Sequence, residues 1–251
     1  EVPGPTKGKL VPRMRHTALI LYGIYVFLTL AETVALCLAG MPFFDALVNS
    51  FATAGTGGFG IKADSIASYS PYLQWVITVF MLLFGVNFNL YYLILIRKIK
   101  PVVKSSELWT YLGIVSVASV IIGINISPLY DTLAETVKHS AFQVASIITT
   151  TGFATADFNL WPNLSKMIIF TLMFVGGCSG STSCSIKCGR ILLAFRTSTR
   201  TLLRFSHPRA VKVVKLDGKA VEEDTLNTVF AFFILFWIII IWILCSAITI
   251  T

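Results

Sequence analysis

Four apolar stretches run Thr17 to Ala39, Tyr72 to Ile96, Leu108 to Ile126 and Thr225 to Thr251. A fifth begins at Leu164 and reaches Val175 before it meets Gly176-Gly177-Cys178-Ser179-Gly180-Ser181-Thr182-Ser183. A helix crossing a bilayer needs about 20 apolar residues, so the four long runs predict spanning helices. Lipid gives the backbone no hydrogen-bond partners, which leaves the helix as the structure for runs of this length. The fold class expected is therefore an all-α integral membrane protein.

Charge agrees. Only 13% of the 251 residues are charged, against 55% hydrophobic, and a soluble domain carries about 25% charged residues. The net charge of +8 is not spread as a nucleic-acid patch would be. It gathers in Lys7 to Arg15, in Arg97 to Lys104 and in Lys187 to Lys219. Basic residues collected in loops of one side mark the cytoplasmic face of a multi-pass membrane protein. The lipid bilayer is the expected partner, and nucleic acid is not.

Cys37 and Cys245 fall in apolar helices and read as small hydrophobes. Cys178, Cys184 and Cys188 lack the paired spacing and extra ligands of a zinc site. No phosphate-binding loop, HExxH or trustworthy Ser-His-Asp arrangement is present, so neither an enzyme nor a cofactor is expected. No cleavable signal peptide is visible.

Between the first two long helices, and again between the next two, lie segments of intermediate hydrophobicity: Pro42 to Ser70 and Pro128 to Pro162. Each opens with proline and an acid, Pro42 with Asp45 and Pro128 with Asp131, which is a helix start. About ten mixed apolar residues follow, too few to span. Each segment then ends in a Thr/Gly stretch. A shift of 94 residues puts Thr56 on Thr150, Gly58 on Gly152 and Phe59 on Phe153. The repeating unit is helix, short re-entrant helix, extended loop, helix.

A loop at membrane depth is tolerated where it lines a water-filled cavity or is buried in protein. Backbone carbonyls from such loops replace the hydration shell of potassium. Successive carbonyls must turn to one side, which asks for backbone angles that glycine takes cheaply. The short helix before each loop aims its partially negative C-terminus at the same point, which favours a cation. The expected ion-binding residues are Thr56, Gly57, Gly58 and Phe59 from one loop and Thr150, Thr151, Gly152 and Phe153 from the other, with K⁺ as the only metal ion.

The segments Gly55-Thr56-Gly57-Gly58-Phe59-Gly60, Ile147 to Phe158 and Gly176 to Thr182 resemble the membrane subunit of Trk/Ktr-type bacterial potassium uptake systems. The likeness runs over nearly the whole chain. That family folds as four helix–pore-loop–helix repeats around a central cation pathway. On its pattern this chain looks like the second and third repeats plus the first helix of the fourth. The divisions are then a cytoplasmic linker (1–15), one pore repeat (16–104), a second with a broken last helix and a gating loop at 176–189 (105–200), a linker (201–224) and the further helix (225–251).

The resemblance implies potassium uptake across the bacterial plasma (inner) membrane, with the Gly176 to Gly189 stretch as an intramembrane gate under the filter. Gly176, Gly177, Gly180, Ser181 and Lys187 are its candidate residues. Gly-Gly and a Ser/Thr run break a helix independently of any likeness. The sequence departs from the family at Ser183-Cys184-Ser185, where glycine is usual, and at Cys188, where an apolar residue is usual; fewer glycines imply a stiffer loop. The resemblance also implies a cytosolic nucleotide-binding regulatory subunit facing Arg196 to Lys219, and a homodimer. Phospholipid head groups explain the same basic charge. The alternatives are a cation symporter and a partial chain that does not conduct alone.

Among single residues, Glu32 lies inside the first helix, where a carboxylate is either functional or paired. Asn87 and Asn89 read as glue between helices. Asp45, Asp64, Asp131, Glu135 and Asp157 lie on the outer side, either as a rim that would gather cations or as an ordinary solvated rim. His139, in the second pore helix, is the one histidine near the ion path.

Overall fold

The computed structural model describes residues 14–206, 213–217 and 219–250. Within residues 8–188 the helices are α1 (Met14–Leu38), α2 (Phe43–Ala54), α3 (Pro71–Phe84), α4 (Phe88–Leu95), α5 (Ile99–Val103), α6 (Ser106–Ile126), α7 (Leu133–Ile148) and α8 (Asn163–Val175). This part is one compact unit and the segment from Gly189 belongs to another. The expected N-terminal linker falls outside the described residues apart from its last positions.

Two repeats are plain in the element order. α1, α2 and α3–α4 make the first; α6, α7 and α8 make the second. The short helices α2 and α7 are the re-entrant ones. α2 opens after Pro42 with Asp45 in its first turn, and α7 after Thr132, whose hydroxyl accepts from Glu135 N. Acids and caps there offset the unpaired N–H groups of a helix start. α1 and α6 are long and apolar enough to span.

The sequence predicts one helix over Tyr72 to Ile96. The chain instead breaks after Phe84 and turns by 89° into α4. Gly85 closes α3, and Asn87 caps α4 by accepting from Asn89 N at 2.9 Å. The carbonyls freed at the break find partners. Leu82 O accepts from the Tyr111 hydroxyl (3.2 Å), Leu83 O from the Tyr91 hydroxyl (2.7 Å) and Gly85 O from Cys178 N (2.9 Å). A broken helix at membrane depth is sustained by such substitutes. The Asn87 side chain therefore builds the break.

The apolar core of this unit comes in two main clusters. One joins α6, α7 and α8 through Tyr111, Ile122, Val144, Ile148 and Ile169. The other joins the first repeat to the second, with Leu36, Ile77 and Met81 packed around Phe142 and Phe153. The second Thr/Gly loop is thus fixed by burial of Phe153, where a core side chain contributes about 1.5–3 kcal/mol.

The second unit holds most of α9 (Cys188–Ser206), a hairpin of β1 (Lys215–Leu216) and β2 (Lys219–Ala220), and α10 (Glu223–Ile250). The strands are antiparallel, Lys215 opposite Ala220. Leu193, Val214, Leu216, Val221, Leu226 and Val229 form its small core. Arg196 donates to Lys215 O (2.5 Å), and Arg200 pairs with Glu223 at 2.6 Å. The basic segment expected as a linker from residue 201 continues α9 to Ser206 instead. His207 to Lys212 lie outside the described residues. α10 is long and apolar enough to span.

Candidate functional site

The two Thr/Gly stretches follow the C-termini of α2 and α7 and adopt the same backbone. Thr56 and Gly58 have φ of 50° and 67°; Thr150 and Gly152, 94 positions on, have 58° and 89°. Left-handed residues alternate with right-handed or extended ones in both loops. That alternation flips every second peptide plane along the Thr/Gly stretch. The hydrogen bonds also recur at the same offset. Thr56 N donates to Thr53 O (3.1 Å) and Gly57 N to Ala52 O (2.8 Å); Thr150 N donates to Ile147 O (3.0 Å) and Thr151 N to Ser146 O (2.9 Å). Each loop hangs from the last turn of its own pore helix. Threonine at positive φ is costly, and such strain persists only where surroundings enforce it.

The loops meet at Gly58, where any Cβ would strike Thr151 O. Beyond that contact the second loop is tied to the first repeat: Ala154 N donates to Ser65 Oγ (3.2 Å) and Ile66 N to Ala154 O (3.1 Å). The aromatic residues differ. Phe153 is fully buried against the first repeat, whereas the equivalent Phe59 is 81% exposed. The Phe153 carbonyl accepts from the Ser146 hydroxyl at 2.6 Å, toward the pore helix.

The Gly176 to Cys188 stretch interrupts the last helix of the second repeat. α8 ends at Gly176 with φ 72°, and Gly176 has no room for a side chain beside Cys184 O and Ser185 Cβ. Gly177 is as crowded, against Ser183 Oγ and Gly85 O. Gly180, with φ 76°, passes close to Asn87. The loop leans on the α3–α4 break: Phe88 N donates to Gly180 O (3.1 Å), and the Thr182 hydroxyl to Phe84 O (3.3 Å). Ser179 N donates to Glu107 at 2.5 Å. Lys187 Nζ donates to Ser183 O and Ser181 O, and the Ser181 hydroxyl donates to Cys178 O at 2.6 Å.

Both filter loops touch this stretch through their left-handed threonines. The Thr56 hydroxyl donates to Thr182 O (3.4 Å), and Cys184 N donates to the Thr150 hydroxyl (2.8 Å). Those two hydroxyls hold the loop beneath. No signal within either stretch predicts this link. Its residues lie 126 and 34 positions apart.

The other singled-out residues separate. Glu32 is fully buried and faces Thr53 of α2, whose hydroxyl donates to Asn49 O at 2.8 Å. Asp45 accepts from the Tyr69 hydroxyl (2.8 Å), which, with burial ahead of it, pushes the Tyr69 phenol pKa upward. Asp157 caps the short turn at Phe158–Leu160. Among the described residues no cluster of three or more His, Cys, Asp or Glu could hold a metal ion. The oxygen-rich filter loops fit an alkali cation, which would be cargo.

The profile of a family described as TrkH, cation transport protein, matches residues 2–115 and 131–250. The chain is 38% identical to the Trk system potassium uptake protein TrkH of Salmonella typhimurium over 93% of its own length and 49% of that protein's. It is 36% identical to TrkG of Escherichia coli K12, across 94% and 50%. In structure it resembles the potassium transporter TrkH from Vibrio parahaemolyticus, with a TM-score of 0.84 and 33% identity, covering 90% of this chain and 50% of that one. The chain spans about half the length of the relatives it matches.

Proposed function

The chain belongs to the TrkH family of cation transport proteins, and from that premise we propose that it supplies two adjacent quadrants of a potassium pathway across the bacterial plasma membrane. The observation that carries this reading is the shared backbone of the two loops, alternating left-handed at Thr56 and Gly58 and at Thr150 and Gly152. Carbonyls of Thr56, Gly57, Gly58 and Phe59, with those of Thr150, Thr151 and Gly152, would replace ion hydration; the Phe153 carbonyl, expected among them, is turned to the Ser146 hydroxyl instead. Conduction would be passive, with K⁺ moving down its electrochemical gradient, and would need neither a cofactor nor an enzymatic step.

The stretch from Gly176 to Lys187 is the gate in this reading. It lies against both filter threonines, so opening must break those two hydrogen bonds together with those to Phe84, Gly85 and Glu107. Gly176, Gly177 and Gly180 permit the tight path, while Ser181 and Lys187 hold the loop to itself. A partial chain is favoured over a complete pore by one observation: Phe59 is exposed where its counterpart Phe153 is buried. The remaining quadrants would come from the rest of a longer parent. A cytosolic nucleotide-binding subunit and a second copy of the parent would be its protein partners.

Growth at low K⁺ of cells lacking potassium uptake, complemented with the full-length parent, tests the proposal. Gly152→Ser, forced into a left-handed angle, should tilt the filter carbonyls and relax selectivity for K⁺ over Na⁺. Unchanged selectivity would overturn the filter assignment.

A further inference from the structure

His139 stands in the second turn of α7, a re-entrant helix rather than a span. Its Nδ1 lies 3.0 Å from the Thr155 hydroxyl. Its ring stacks on Tyr130, with centroids 5.0 Å apart and planes 19° from parallel. Tyr130 is held in turn by Trp161, whose indole N–H donates to the phenol oxygen at 3.2 Å. The imidazole is therefore fixed on one face and aimed at Thr155.

Thr155 is buried and lies three positions past Gly152. It belongs to the short strap by which the second filter loop returns to the outer surface. That strap is held at two successive residues: Ala154 is tied to Ser65 and Ile66 of the first repeat, and Thr155 to its own pore helix through His139. The 94-residue repeat gives a comparison. The position equivalent to His139 on α2 is Asp45, which holds the first repeat's outer loop through Tyr69. The same helix position anchors the outer loop of both repeats, by a carboxylate in one and by an imidazole in the other. Only the imidazole changes charge between about pH 5 and pH 8.

The charges around His139 can be enumerated. On α7 itself they are Glu135 and Lys138. Tyr130 faces the ring, Asp131 follows Tyr130 in the chain, and Asp157 follows Thr155 by two positions. Of the other helices packed on α7, α3 carries no charged residue. α6 carries only Glu107, in its first turn and so at the end away from Tyr130. α8 carries only Lys166, whose amine donates to Asn159 O. The surroundings are thus half-apolar. Burial, then Lys138, hold the imidazole below its ordinary pKa of about 6.5 against the opposing pull of Glu135. The ring is neutral at neutral pH and gains its charge only as the outer solution turns acid.

We propose that His139 is a positioning residue of the ion pathway: it fixes the strap of the second filter loop through Thr155, and on taking up a proton from outside it sets a positive charge at the mouth that lowers cation entry. The proposal rests on the two loops being a potassium path. A threonine hydroxyl both donates and accepts, so the strap stays held in either protonation state. The added charge, not loss of the hydrogen bond, is what the ion meets among Asp45, Asp64, Asp131, Glu135 and Asp157.

The test is rubidium uptake by the full-length parent in cells lacking other potassium uptake, at outer pH of about 7.5 and about 5.5, across the range where a histidine titrates. Wild-type uptake should fall at the lower pH, toward about fivefold as the ring becomes fully charged, the effect of one unit charge near a pore mouth. His139→Asn keeps an amide where Nδ1 stood, so it should retain uptake at the higher pH and lose most of the acid fall. An acid fall in His139→Asn as large as in the wild type overturns the proposal. A second measurement needs no transport: thermal stabilisation of the purified full-length protein by K⁺ at the two pH values. It should weaken in acid for the wild type and not for His139→Asn; equal pH dependence in both overturns the proposal. The expected binding pattern without any rubidium uptake would fault the conduction reading and leave His139 its role.

Discussion

Gly58 and Gly152 share a left-handed backbone but not their surroundings. A Cβ at Gly58 runs into Thr151 O, while a Cβ at Gly152 meets nothing within 4 Å. Alanine at Gly152 therefore carries only the conformational penalty, about 1 kcal/mol. Alanine at Gly58 carries that penalty and must also part the two loops, for a total of about 2–4 kcal/mol. Thermal unfolding of the two purified full-length variants checks the order, and equal costs would mean that the loops do not touch at Gly58. The Thr/Gly pattern itself was legible, because a Thr/Gly stretch that recurs 94 residues on, each time after a short helix, has few other uses at membrane depth. The threonines beside those glycines were not legible in the same way. Their hydroxyls are committed to Thr182 and Cys184, partners that no local pattern announces. His139 was legible as a residue near the path, but its hold on Thr155 depends on how the strap returns.

At the scale of elements, the intramembrane loop shows both what the sequence carries and what it hides. Gly176-Gly177 and the Ser/Thr run forecast a break, and α8 stops at Val175. The break in Tyr72 to Ile96 escaped because the run is apolar on both sides of Gly85-Val86-Asn87, and one glycine followed by one asparagine is a weak signal. Its cause is tertiary: Gly180, Thr182 and Cys178, about 100 residues on, pair with Phe88, Phe84 and Gly85. Two residues of this loop other than glycine take glycine's backbone angles. Ser185 and Lys187 are left-handed, at φ of 73° and 76°, so each stores about 1–2 kcal/mol while the loop stays in this shape. Ser185 offsets its share, since its hydroxyl donates to Phe174 O (2.6 Å) at the end of α8, with Met173 O as a second acceptor within reach (3.0 Å). Ser185→Ala keeps the strained Cβ and loses those bonds, and should destabilise the full-length protein by about 1–2 kcal/mol. Ser185→Gly loses the bonds but also the strain, and should cost less than the alanine variant. The reverse order in thermal unfolding would show that the left-handed angle stores nothing.

For the molecule as a whole, the repeat relation turns one exposed side chain into a statement about assembly. Phe153 is buried in a cluster with Leu36, Met41, Ile77 and Met81 of the repeat before its own, closed by Phe142 and Ala145 of its own pore helix. The same arrangement applied to Phe59 calls for a seat from a repeat preceding α1. Among the described residues it has none, and it stands 81% exposed. The family relatives are about twice as long as the stretch matched here, which leaves room for such a repeat in a longer parent. In the full-length parent, then, Phe59→Ala and Phe153→Ala should destabilise by similar amounts, about 3–5 kcal/mol, as for any large aromatic taken from a packed core. Denaturant unfolding of the two variants decides it. A Phe59→Ala cost below about 1 kcal/mol, the usual range for a surface position, would mean that no preceding repeat closes on this loop. The reading of the chain as adjacent quadrants of one ring would then fall, even with the backbone of the two loops unchanged.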